Sequence, residues 1–234
     1  MSTAHFLISF LTFLAVARMA ESHISRDEIE SKLKRKTAVY NLLCSARRQG
    51  VFAKCCKGLK EEIDNLKTKA YYNELSRQCP EPLGMESGII PDSSITASSF
   101  YSADCQPHYA RLNRDLGLCA WLPEISPEWS WLQVDFGEKL IVLGLATQGS
   151  CRQNYWVKSY FVSYKEEHDA LNWLVYTSYE GRPIEFQGNS DQNTVVTNYF
   201  YDYGMPIAAR YVRIMPLSYT NRPGMRVEYY GCRL

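Results

Sequence analysis

Trp131-Leu-Gln-Val-Asp-Phe136 alternates apolar and polar side chains without a break. Alternation with a period of two places one set of side chains on each face of a strand, so this stretch reads as a β-strand with one buried face. The pattern continues outward. Lys139 to Thr147 is a strand-like run ending at Gln148-Gly149, and Val157 to Tyr164 is rich in Tyr, Val and Phe. Arg210-Tyr-Val-Arg-Ile-Met215 and Met225-Arg-Val-Glu-Tyr229 alternate again. Turn signals separate these runs at Pro127, Gly137, His168-Asp169, Gly181-Arg-Pro183, Gly188-Asn-Ser190, Gly204 and Pro223-Gly224. Many short strands spaced in this way predict a sandwich or barrel. No helix-length pattern interrupts them, which argues against a parallel α/β sheet.

Two cysteines bracket the strand-rich region. Cys79 sits in Cys-Pro-Glu-Pro-Leu-Gly-Met-Glu-Ser-Gly and Cys232 in Val-Glu-Tyr-Tyr-Gly-Cys. Between them lie about 150 residues, the size of one all-β domain. A bond joining the two would tie the first residue of that domain to its last and leave the opposite end free to carry loops.

The 234 residues are 46% hydrophobic and 22% charged, as in ordinary globular proteins, but 17 are tyrosine. Such a content points to an aromatic core or an aromatic binding face. Phe6 to Val16 is an apolar run too short to span a bilayer, followed by small-x-small sites at Ala15-Val16-Ala17 and Ala20-Glu21-Ser22. Residues 1–22 therefore read as a secretory signal cut after 17 or 22, and the protein as secreted and extracellular. Eight cysteines in a secreted chain favour disulfides. Without a Cys-x-x-Cys pair, and with scattered His5, His23, His108 and His168, no metal or other cofactor is expected.

Residues 23–78 carry helical periodicity. Ser25 and Glu28 form a capping box, and Ile29, Leu33, Tyr40 and Leu43 share one helical face, with Gly50 as a stop. A second helix is predicted from about Leu59 to Leu75, with Leu59, Ile63, Leu66 and Ala70 spaced for packing. This region is too small to fold on a core of its own, so stapling, packing or self-association is expected. Cys44, Cys55 and Cys56 lie around the turn between the helices. One of the adjacent pair can bond Cys44, leaving the other for Cys105 or a second chain. The region holds 13 Lys/Arg against 7 Asp/Glu, whereas residues 79–234 hold 12 against 17. The basic arm reads as a solvated helix face that is also able to touch anionic surfaces.

The span Cys79–Cys232 resembles a discoidin, or factor V/VIII C-type, domain. The matching pieces occur in the family's order. They are Pro-Leu-Gly-Met-Glu-Ser-Gly-Ile-Ile-Pro (82–91), Ile-Thr-Ala-Ser-Ser (95–99), Ala-Arg-Leu-Asn (110–113), Ala-Trp-Leu (120–122), Trp-Leu-Gln-Val-Asp-Phe (131–136) and Ala-Thr-Gln-Gly (146–149). Val-Lys-Ser-Tyr (157–160), Leu-Asn-Trp (171–173), Gly-Asn-Ser-Asp (188–191), Ala-Arg-Tyr-Val-Arg-Ile (209–214) and Arg-Val-Glu-Tyr-Tyr-Gly-Cys (226–232) complete the set. The resemblance implies an all-β jelly-roll-like discoidin barrel over 79–234, beside the small N-terminal α-helical region of 23–78. It implies a terminal Cys79–Cys232 disulfide. Cys119 before Ala-Trp-Leu and Cys151 after Thr-Gln-Gly are most similar to the retinoschisin branch and imply a Cys119–Cys151 bond. Cys105 is left over within a loop.

Discoidin domains bind ligands through loops at one end of the barrel. By motif position these are Phe100 to Ala110, Pro123 to Ser130 and Ser150 to Trp156. The ligand-binding residues so implied are Phe100, Tyr101, His108 and Tyr109 in the first loop, with Arg152, Tyr155 and Trp156 in the third. Their aromatic rings can stack on sugars, wedge into lipid or pack in a protein groove, and Arg152 suits a carboxylate, sulfate or phosphate. Trp121, Trp129, Trp131 and Trp173 are assigned to the core. The expected function is a secreted recognition or adhesion protein. It would bind a cell-surface glycan, a matrix protein or an anionic lipid and assemble as a homo-oligomer through its helices and spare cysteines. A structural self-assembling matrix protein is the alternative. No catalytic constellation and no nucleic-acid signature is present, so an enzyme is not expected.

Overall fold

A computed structural model describes residues 26–44, 49–78, 81–124, 130–167, 172–178 and 180–233. The chain divides into two compact units between Leu75 and Ser76.

The first unit holds helices α1 (Arg26–Leu43) and α2 (Gln49–Gln78). Asp27 and Glu28 in the first turn of α1 oppose the positive end of its dipole, and Glu28 pairs with Lys32 one turn on at 2.9 Å. Ile29 and Ile63 are buried, with Leu33, Leu59 and Leu66 half-buried on the same apolar stripes. A Cys44–Cys56 disulfide and a Lys36–Glu62 ion pair tie the helices together. Adjacent residues point about 100° apart around a helix. Cys56 therefore faces Cys44, while Cys55 remains an exposed free thiol. Gly50, expected as a stop, lies inside the first turn of α2, which starts ten residues before the expected Leu59. A glycine costs a helix only about 1 kcal/mol, too little to end one held by a disulfide and a long packed face. Ser25 lies outside the described residues.

The second unit is built from β1 (Glu81–Pro82), β2 (Ile95–Ala97), β3 (Leu132–Gln148), β4 (Trp156–Lys165), β5 (Leu174–Val175), β6 (Phe186–Gln187), β7 (Val196–Tyr199), β8 (Ile207–Thr220) and β9 (Arg226–Arg233). All pair antiparallel in the order β1-β9-β3-β8-β4-β5, with β2 and β7 also on β3 and β6 on β4. This corrects the jelly-roll-like barrel expected from the sequence, because the sheet does not close. Its terminal strands β1 and β5 are two exposed residues each and do not pair with one another. Burial comes instead from bulky rings inside the folded sheet. Tyr160, Phe186, Tyr176, Phe200 and Tyr203 form a chain of ring contacts at 4.7–5.7 Å.

β3 turns a corner. Its pairing with β8 runs from Leu132↔Ile214 to Asp135↔Tyr211, then resumes at Leu140↔Ala209 after Phe136–Lys139 bulge out. Gly137 adopts φ 79°, open to glycine without strain. The Asp135 carboxylate accepts the Gly137 N–H at 2.8 Å and two bonds from Arg210 at 2.8 and 3.0 Å. Trp121 is fully buried as expected. Trp131 and Trp173 are not core. They are half-buried and stack on Arg213, which points outward between buried Val212 and Ile214. Trp129 lies outside the described residues.

Buried charges fasten the long loops to this sheet. Glu228 is 1% exposed, and its carboxylate accepts the N–H groups of Gly84, Met85, Glu86 and Tyr229 at 2.8–3.2 Å. Buried Arg111 donates to the carbonyls of Met85 and Ile90 and to Asp92. Buried Arg226 donates to Gly149 O, Gln192 O and Asn193 Oδ1. Cys232 is disulfide-bonded, and Cys79 lies outside the described residues.

Replacing Glu228 with glutamine puts an amide donor against backbone donors. It should cost about 2–3 kcal/mol, read as a lower urea midpoint at unchanged slope. Burial alone would raise the Asp135 carboxyl, but the Arg210 bond and charge and the Gly137 N–H leave it below the usual carboxylate value. A depressed folded pKa adds stability above the unfolded pKa that is lost as pH falls. Asp135→Asn should therefore cost about 1 kcal/mol near pH 7. In denaturation series the gap to wild type should close below about pH 4.

Candidate functional site

The corner in β3 brings both of its ends to one group of loops. At the first end, Ser98 N–H donates to Trp131 O and the Trp121 indole donates to Ser99 O at 2.8 Å. At the other, Gln148 pairs with Arg226, and Trp121 forms a bridge to Met225 beside it. Loops 98–122, 149–156 and 219–225 meet there. Cys119–Cys151 joins the first two covalently, and Ser150 Oγ donates to Leu118 O at 2.7 Å. Asn221 donates its side-chain amide to Asn154 O, linking the second and third. A small apolar cluster of Cys105, Ala120 and Leu122, with Leu118 and Tyr155 against it, fills the space beneath.

The fit inside this group is tight. Gly117 (φ 59°) lies so close to loop 98–110 that a Cβ there would sit 2.4 Å from Asp104 O. Among the described residues, the non-glycine ones with left-handed backbone, Asn113, Cys119 and Asn221, all belong to these loops. Asparagine enters this region readily, whereas Cys119 does so rarely and is held there by its disulfide. The cluster is therefore a rigid platform.

The expected ligand residues fall into two groups. Phe100 and Tyr101 are 44% and 51% exposed, and Tyr101 is fixed by its N–H to Leu122 O. Arg152 is exposed and paired with Asp115 at 2.6 Å. His108 and Tyr109 are half-buried and stack on each other at 4.2 Å. Tyr155 packs against the apolar cluster, and half-buried Trp156 opens β4 opposite Thr220. Of the loop Pro123 to Ser130, residues 125–129 lie outside the described residues. Two residues were missed by sequence reasoning. Leu116 is 56% exposed on the loop that carries Gly117. Arg222 stacks its guanidinium 4.0 Å from the Tyr101 ring centre. Its only trace in the sequence is its place before the Pro223-Gly224 turn, since the contact spans more than a hundred residues.

Asp115, Cys119 and Cys151 bring potential metal-binding atoms together, but both sulfurs are spent in the disulfide, so no metal fits there. Cys105 is a fully buried free thiol that exchanges bonds with Ser102 and acts as a core residue.

The F5/8 type C domain matches residues 94–229, more than half of the chain. The chain belongs to the F5/8 type C, or discoidin, family. Lactadherin of Rattus norvegicus is 40% identical over 162 residues, covering 66% of this chain and 36% of lactadherin. Retinoschisin of Takifugu rubripes is 36% identical over 162 residues, covering 66% of this chain and 56% of retinoschisin. The chain thus spans about a third to just over half of the length of these relatives. Discoidin II of Dictyostelium discoideum superposes with a TM-score of 0.53 at 26% identity, covering 60% of this chain and 55% of that one. Domains of this family are non-catalytic binding modules, and this domain is not an enzyme.

Replacing Cys119 and Cys151 together with alanine opens a loop of 32 residues' separation. The loop-entropy estimate puts the loss at about 4 kcal/mol. The expected outcome is a lower unfolding temperature, with new proteolytic cleavage between residues 113 and 118.

Proposed function

We propose that this protein is a secreted recognition and adhesion protein whose discoidin unit engages a cell-surface glycan, protein or lipid through the 98–122, 149–156 and 219–225 loops. One observation carries this reading. Phe100 and Tyr101 are exposed on a clamped loop, and the Arg222 guanidinium stacks on Tyr101. Exposed aromatic area normally favours collapse. Held on a rigid platform beside a cation, it supplies contact area at low entropic cost. Arg222 has no carboxylate partner among the described residues, so it is available to an anionic or polar ligand group. The Cys44–Cys56 and Cys119–Cys151 bonds support an oxidising, extracellular setting.

In this reading residues 1–22 are the signal, 23–78 the assembling arm and 79–234 the recognition domain. Exposed Cys55 on α2 supports disulfide-linked self-association, and several copies would turn weak single contacts into avidity.

Phe100→Ala with Tyr101→Ala removes exposed side chains and should leave the unfolding midpoint within about 0.5 kcal/mol. Binding of the full chain to intact cells, glycan arrays and phosphatidylserine vesicles should fall by about tenfold or more on whichever surface binds wild type. Unchanged binding on that surface would show that the loops are not the site.

A further inference from the structure

A second set of aromatic rings and cations lies on the outer face of the sheet made by β3, β8 and β4, starting beside the end of β3 where Trp131 meets Ser98. Arg213 of β8 sits between two indole rings, 3.9 Å from the Trp131 ring centre and 3.8 Å from that of Trp173. Its Nε donates to Gln133 Oε1 on the neighbouring strand at 2.9 Å. Ring contacts on both sides and one anchored nitrogen hold the planar fork in a single pose. Neither Nη atom hydrogen-bonds to a described residue, and no described carboxylate pairs with the group.

Lys165 lies diagonally across on β4, because Ser163 faces Arg213 and Lys165 faces Tyr211. Its ammonium is 5.4 Å from the Trp173 ring centre and 5.8 Å from that of Tyr211. It too has no ion pair among the described residues. Of the acids close in sequence or space, Asp135 pairs with Arg210 and Glu166 with Lys139, and the exposed Glu167 acts on Lys139 through its charge. Two cations without an ion pair among the described residues thus share one indole on a sheet face, and one of them is desolvated enough for burial to lower its pKa.

We propose that this face is a second ligand site, formed by none of the loop residues assigned above, that takes the carboxylate or sulfate groups of an acidic polysaccharide. A fixed guanidinium edge matches the paired oxygens of either group, and Lys165 supplies a second cation within reach of the same or the next acidic group. The exposed parts of Trp131 and Trp173 offer the flat apolar surface on which the C–H face of a pyranose rests. An acidic peptide would satisfy the cations but leave the indoles without a matching flat partner.

The test uses the full chain with dextran sulfate, hyaluronan and uncharged dextran, which separate sulfate, carboxylate and neutral sugar. Wild type should bind at least one of the anionic polymers near physiological salt and not dextran, with a change in tryptophan emission. Arg213→Gln with Lys165→Gln should weaken that binding about tenfold or more. Arg213→Lys, which keeps the charge and loses the fork, should weaken it almost as much. Phe100→Ala with Tyr101→Ala should leave it unchanged, so this outcome is independent of the loop assignment. Lys165→Gln alone leaves the indole sandwich intact and should still weaken binding severalfold, which covers a failure of the Arg213 variants to fold. The proposal is overturned if neither anionic polymer binds wild type, or if Lys165→Gln and the double variant bind as wild type does. It is also overturned if poly-glutamate binds as tightly with the same dependence on Arg213.

Discussion

One strand has to serve four others, and it does so only because it bends. β3 pairs with β2 and β8 through its first residues and with β8, β9 and β7 through its last. A straight strand of seventeen residues would carry its ends far apart, since each residue adds about 3.3 Å. The corner at Phe136–Lys139 folds it back, and Asp135 holds the corner by joining Gly137 to Arg210. From that constraint follow the arrangement of the sheet and the meeting of the loops at one end. The Cys119–Cys151 bond and the Trp121 bridge then fasten what the corner has brought together.

The loops stay in place through polar groups that a hydrophobic core would ordinarily exclude. A lone buried carboxylate is costly to desolvate, but Glu228 receives four backbone N–H bonds, the condition under which burial becomes tolerable. Arg111 and Arg226 spend their donors on main-chain carbonyls of distant loops in the same way. Such ties are directional, unlike apolar contact, and fix loop positions as well as holding them down. The loops are therefore held in place from deep in the sheet, by buried residues beneath them.

Much of this was legible in the sequence. The alternation around Leu132, Val134 and Val212 identified strands because one face of each is buried. The family motifs marked Arg111, Arg226 and Glu228 without revealing that their purpose is loop anchoring. Closure of the sheet was misread, since the two-residue strands β1 and β5 carry no periodic signal and their failure to pair is a three-dimensional fact. The start of α2 was misplaced because Gly50 and Gly58 weaken the local helical signal that the Cys44–Cys56 bond overrides. Of the implied site residues, Phe100 and Tyr101 are at the surface, whereas Tyr155 is half-buried under the loops. Loop composition alone cannot tell a ring that faces solvent from one that supports its neighbours. Trp131 and Trp173 were assigned to the core because they lie on or beside strands, although an indole on a sheet surface can be covered by a guanidinium as well as by another apolar side chain.

The distribution of charge gives these cations their meaning. Residues 79–234 hold more acidic than basic side chains, so at long range the domain should repel an anionic ligand. Yet several of the acids already have partners within the chain, Glu228 in its interior and others at its surface. Glu228 holds backbone, Asp135 holds the corner, and Asp92, Asp115, Glu138 and Glu166 pair with Arg111, Arg152, Arg233 and Lys139. Arg222, Arg213 and Lys165 are left on rings and, among the described residues, without carboxylates. At physiological ionic strength the net repulsion decays within about 8 Å, whereas a desolvated guanidinium in contact with an anion is screened far less. The anion recognition proposed for this domain would therefore be a contact effect of particular cations on particular rings, which the overall charge would neither produce nor prevent.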